Sequence, residues 1–120
     1  MSKKLTHDSN KNNYSIEFLQ RCIETQKKKG EDYNKNIPQS LYYPRGIDTI
    51  YDLMHTKMLR IKSCMIKLKN NEDTNFESIT DSVVDLVNYS SFFVSYLNKQ
   101  MNGQCLLKNE FNEDVNETKT

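Results

Sequence analysis

Six apolar side chains, Phe76, Ile79, Val83, Leu86, Phe93 and Leu97, follow a repeat of threes, fours and sevens that breaks only at Ser90. That spacing lines them up on one stripe of an α-helix and does not fit the two-residue alternation of a strand. The run opens on Thr74-Asn75-Phe76-Glu77, with Thr74 and Glu77 in the positions of a capping box. It predicts a helix from Thr74 to about Gln100 or Met101, stopped by Gly103. A helix with so long an apolar stripe must bury it against other helices.

Two further segments carry helical spacing. Ile16, Phe18, Leu19, Cys22 and Ile23 predict a helix from Ser15 to about Lys29, with Gly30 as its stop. Ile50, Leu53, Met54, Met58, Ile61, Cys64, Met65 and Leu68 predict another from Asp48 to about Asn70. Between them, residues 31–46 hold two prolines and Gly46, which forbid a long helix. This linker also carries Tyr33, Tyr42 and Tyr43, more aromatic surface than a purely solvated loop needs. No segment reads as a strand. The expected fold is all-α, a small bundle of three main helices over residues 14–103, completed by dimerisation because a chain this short builds only a modest core.

The polarity of the chain is uneven. Mean hydropathy is −0.82, but residues 1–13 and 104–120 supply much of that value. They read as a flexible N-terminal tail and a polar C-terminal tail. Net charge is +1, which makes no strong case for a nucleic-acid duplex or an anionic membrane. No apolar run approaches the ~20 residues needed to span a bilayer, and the N-terminus lacks the apolar stretch of a signal peptide. Cys22, Cys64 and Cys105 are odd in number and far apart, so they suggest reduced thiols in a cytoplasmic protein rather than a disulfide framework. Alanine and tryptophan are absent while Asn and Lys abound. Because alanine is the best helix former, its absence from a helical chain points to an AT-rich genome such as a low-GC bacterium or its phage.

The chemistry concentrates on the last helix. Glu77, Asp81 and Asp85 stand at i, i+4 and i+8, an arc of about 80° bordering the apolar face. Like charges at this spacing repel, so the stripe wants an external cation. Lys57 and Arg60 of the middle helix are one source, and Mg²⁺ held by the three carboxylates is the other. Lys57 interrupts an otherwise apolar face, where it either snorkels to the edge or is partly buried against an acid or an anionic ligand. An interhelical salt-bridge network, or a merely solvated face, accounts for the stripe equally well. His7 and His55 have no partner pattern, and the glycine-rich, nucleophile-elbow and zinc-binding motifs are missing.

Lys28…Asp32-Tyr33, Lys57-Met58-Leu59-Arg60 and, most specifically, Glu77-Ser-Ile-Thr-Asp81-Ser-Val-Val-Asp85-Leu-Val-Asn88-Tyr89 together resemble the nucleotide-modification-associated domain type 1 family of phages and bacteria. That resemblance covers a little over half the chain and implies a role near phage nucleotide or DNA-base modification. A looser similarity connects the chain to the all-helical MazG-like nucleoside triphosphate pyrophosphohydrolases, which bind Mg²⁺ through ExxE and ExxD motifs. Here Lys57-x-x-Arg60 stands in place of the first.

The expected function is therefore binding or processing of a nucleotide or nucleotide-derived small molecule. Lys57 and Arg60 would hold phosphate, with the arginine making a bidentate contact. Glu77, Asp81 and Asp85 would hold Mg²⁺ or the cationic side chains. Asn88 would read a base edge, and Tyr33 or Tyr43 would stack on the base, beside Asp32. Two alternatives stand beside this. One is a Mg²⁺-dependent pyrophosphohydrolase; the other is a non-catalytic phage protein, a homodimer acting on a host or defence factor.

Overall fold

The computed structural model describes residues 13–73 and 76–104, leaving out the side chains of Phe76 and Glu77. The proposed cap Thr74, the Glu77 carboxylate, Cys105 and the two tails as far as residue 12 and from residue 105 lie outside the described residues. Three α-helices and one 3-10 turn make up the regular structure of the described residues, with no strand: α1 (Tyr14–Tyr33), the turn Gln39–Tyr42, α2 (Ile47–Lys69) and α3 (Phe76–Leu97). The fold is all-α, as expected.

α3 is the central element, with α2 packed along one side and α1 along another. α2 and α3 run antiparallel. The start of α2, at Ile50, Leu53 and Met54, meets the end of α3, at Tyr89, Phe92, Phe93 and Tyr96. The core sits at this end. Ile50 is fully buried and packs with Tyr43 from the linker and Met101 from beyond α3. The linker and the segment after α3 therefore close one end of the helix pair.

Two boundaries differ from expectation. Gly30 does not stop α1; the helix continues to Tyr33, and the Asn34 amide closes it on the Gly30 carbonyl at 2.9 Å. A mid-helix glycine costs only about 1 kcal/mol, too little to break a helix held by its neighbours. α3 ends four residues before Met101, in a Schellman motif. The Gln100 amide donates to the Ser95 carbonyl and the Lys99 amide to the Tyr96 carbonyl, with Lys99 left-handed at φ 61°. The buried stripe of α1 also lies to one side of the expected one. Cys22 is buried, whereas Ile16, Leu19 and Ile23 are exposed.

Gly103 serves a different purpose from a helix stop. Its φ is +87°, and a Cβ there would lie 2.4 Å from Pro38 Cβ and 2.9 Å from Ser40 Oγ. The chain beyond α3 thus folds tightly over the linker, where the Ser40 amide donates to the Asn102 carbonyl at 3.0 Å. Gln104 is buried here and donates to the Tyr96 carbonyl at 2.8 Å. Gly103→Ala combines backbone strain with overpacking and should cost about 1–3 kcal/mol. Urea unfolding followed by far-UV circular dichroism measures this, and a midpoint equal to wild type would contradict the packing described.

Candidate functional site

The α2–α3 pair and the C-terminal half of α1 enclose an open cavity of about 600 Å³, with the linker as its fourth wall. This is the size of a small-molecule site. Each wall follows from helical spacing. α1 presents Gln26, Lys29, Gly30 and Tyr33, at i, i+3, i+4 and i+7 along one face. α2 presents Leu53 and Lys57 at i and i+4; α3 presents Asp85, Asn88, Tyr89 and Phe92 at i, i+3, i+4 and i+7. The linker adds Gln39, Tyr42 and Tyr43.

The charged centre is Asp85. Its Oδ2 accepts from Lys57 Nζ at 2.9 Å and its Oδ1 from Lys29 Nζ at 3.2 Å, so two other helices converge on one carboxylate. The Lys57 side chain is 16% exposed and that of Asp85 23%. Burial alone would raise the Asp85 pKa, but hydrogen bonds and charge from Lys57 and Lys29 outweigh it and hold the carboxyl below its ordinary value. Two ammonium groups and one carboxylate leave a net positive charge at the cavity wall.

The depressed pKa has a defined consequence for stability. The Asp85 contribution is fully present above the unfolded-state carboxylate pKa of about 3.9 and is lost as pH falls through the lower native value. The stability advantage of wild type over Asp85→Asn should therefore be constant near neutrality and shrink below about pH 4. Paired urea titrations across acidic pH measure it. An advantage that grows on acidification would contradict the sign.

Asn88 joins α1 to α3. It is buried, its Nδ2 donates to the Cys22 carbonyl at 3.1 Å, and its Oδ1 accepts from Gln26 Nε2 at 3.2 Å. Gln26 also donates to Ser91 Oγ at 3.1 Å. One amide proton and one lone pair of Asn88 remain beyond these bonds. Aromatic rings cover much of the rest. Phe92 lies 6.4 Å from Tyr43 and 6.1 Å from Tyr89 between ring centroids, and the Tyr42 hydroxyl donates to the Tyr33 carbonyl at 2.7 Å. Burial raises the Tyr43 pKa; a hydrogen bond with Gln39 opposes this and Tyr89 adds to it. Tyr43 thus keeps its phenol proton. Burial likewise raises the Cys22 thiol pKa, against the pull of Arg21, which leaves it a poor nucleophile.

Of the residues singled out in the sequence, Lys57, Asp85, Asn88, Tyr33 and Tyr43 all line this cavity. Arg60 does not. It is exposed, because three residues along α2 turn it about 60° from Lys57. Asp32 is exposed and lies outside the lining. Asp81 also stands apart, exposed and 3.4 Å from Arg21 of α1. The i+4 step rotates the acidic stripe by about 40°, enough to aim Asp81 at α1 while Asp85 points between α1 and α2. Among the described residues, no three His, Cys, Asp or Glu side chains gather to hold a metal ion. Both oxygens of Asp85 already hold ammonium groups.

Sequence reasoning missed Lys29, Gln26 and Gln39, and gave Tyr89 and Phe92 no role. Lys29 read only as the expected end of the first helix. The spacing of Cys22, Gln26, Lys29 and Tyr33 was the available signal, since it puts a buried thiol, an amide, a cation and a ring on one face. No helix of the described residues is long and apolar enough to cross a membrane. No family model, curated protein or solved structure matches the chain.

Proposed function

We propose that the cavity between α1, α2 and α3 binds a nucleotide or a nucleotide-derived small molecule. The observation that carries this reading is the convergence of Lys29 and Lys57 on Asp85 inside an aromatic-lined cavity. An ammonium group has three donors, so each lysine keeps donors for a phosphate after bonding Asp85. Tyr33, Tyr43 and Phe92 offer ring surface to a planar base. The spare donor and acceptor of Asn88, with the amides of Gln26 and Gln39, suit a base edge. In this reading Asp85 acts as a positioning residue that holds the two lysines in place. Phosphate goes to lysine, so the proposal needs no metal at Asp85. The similarity of the Glu77–Tyr89 motif to nucleotide-modification-associated domains is part of the same proposal. The free thiols of Cys22 and Cys64 suit a cytoplasmic setting, in a bacterial or phage-infected cell.

Isothermal titration of the purified chain with nucleosides, nucleoside monophosphates and nucleoside triphosphates tests this. Phosphorylated ligands should bind more tightly than the matching nucleoside, and added salt should weaken them. Failure of every nucleoside and nucleotide to bind at millimolar concentration would overturn the proposal.

A further inference from the structure

α2 buries one face against α3 and leaves another apolar face open. Tyr51, Met58 and Met65 stand seven residues apart along it and are 60%, 53% and 46% exposed, with Leu59 and Ile66 beside them, also about half exposed. An unpartnered apolar stripe along a helix of 23 residues marks an interaction surface. The charges on α2 indicate what covers it. Asp48 and Asp52 lie at its start, whereas residues 57–69 carry Lys57, Arg60, Lys62, Lys67 and Lys69 with no acid among them. A parallel copy would set lysine against lysine. An antiparallel copy sets the acidic end of each helix against the basic end of the other.

We propose that this face is the interface of a two-fold symmetric homodimer in which α2 packs antiparallel against α2 of a second copy. An axis at Met58, the midpoint of Ile47–Lys69, makes the stripe self-complementary. Tyr51 of each chain falls level with Met65 of the other, and the two Met58 side chains meet at the axis. Asp48 then lies one residue from the level of Lys69 of the second copy. The contact is isologous, so it closes at two copies. It leaves the cavity accessible, since the cavity uses Leu53 and Lys57 on a different side of α2. The proposal is therefore independent of what the cavity binds.

Light scattering on the full chain during size-exclusion chromatography should give twice the monomer mass of 14.2 kDa at tens of micromolar. Met58→Glu should weaken the dimer at least about tenfold with unchanged helical circular dichroism. Asp48→Lys and Lys69→Asp should each weaken it, and the double swap should restore it, which a fold defect would not do. Met58→Cys should form an intermolecular disulfide on oxidation that the wild-type chain does not form. A monomer at every concentration would overturn the proposal, as would a dimer indifferent to Met58→Glu. A monomer that sediments with anionic phospholipid vesicles, and loses this on Met58→Glu, would overturn it in favour of a membrane-facing role for the same basic, apolar stripe.

Discussion

Ile50→Ala should lower the unfolding free energy by about 2–5 kcal/mol, the largest loss expected from truncating an aliphatic side chain among the described residues. Ile50 is fully buried and sits where four segments meet. Tyr43 joins it from the linker and Met101 from the segment after α3, and Phe92, Phe93 and Tyr96 of α3 pack against this cluster. Among the described residues Ile50 is the largest fully buried side chain, and the close-packed rings around it have little freedom to collapse into the vacated volume. A small domain has only about 5–15 kcal/mol to lose. The variant should therefore unfold at much lower urea concentration, with the slope of the transition unchanged. Tyr43 and Phe92 also line the cavity, so ligand affinity should fall as well. A loss under about 1 kcal/mol would show that this end of the bundle is looser than described.

Lys57→Ala should reduce nucleotide affinity by about 10- to 100-fold while leaving the nucleoside nearly unaffected. The estimate corresponds to one lost charge-assisted hydrogen bond of about 1.5–3 kcal/mol. Lys57 is the less exposed of the two lysines on Asp85, and the low local dielectric strengthens its contacts. The substitution leaves Asp85 still paired with Lys29, so the carboxylate is not stranded and the fold should survive. Calorimetric titration of both ligand types into both proteins measures the split. Equal losses for nucleotide and nucleoside would show that Lys57 shapes the cavity rather than holding phosphate. Arg60→Ala is the matched control, since Arg60 is exposed outside the cavity, and it should leave affinity unchanged.

The helices themselves were legible because apolar spacing reports helix period directly. α2 begins at Ile47 and ends at Lys69, close to the expected Asp48 and Asn70. Boundaries that depend on glycine were less legible. Gly30 stays inside α1 because the tertiary environment outweighs its propensity, and Lys99, a residue with no turn signature, takes the left-handed position that ends α3. The lysine–carboxylate pairing across α2 and α3 was one of several readings open for the acidic stripe. What spacing could not tell was which members of the stripe face inward. A 40° rotation between Asp81 and Asp85 sends them to different partners, and 60° between Lys57 and Arg60 separates cavity from solvent. Lys29 went unnoticed because its role depends on the crossing of α1 over α3, a long-range relation that no local pattern encodes. Tyr43 emerged from an excess of aromatic residues in the linker, and the structure places it both in the core and at the cavity.

Titrating a nucleoside monophosphate into isotope-labelled protein, and following side-chain and backbone amide resonances, decides whether the cavity around Asp85 is a nucleotide site. Saturable shifts should concentrate at Gln26, Lys29, Tyr43, Lys57, Asn88 and Phe92, with Arg60 and Asp81 unmoved. Shifts that never saturate, or that cluster on the exposed side of α2 while the groups around Asp85 stay still, would contradict it.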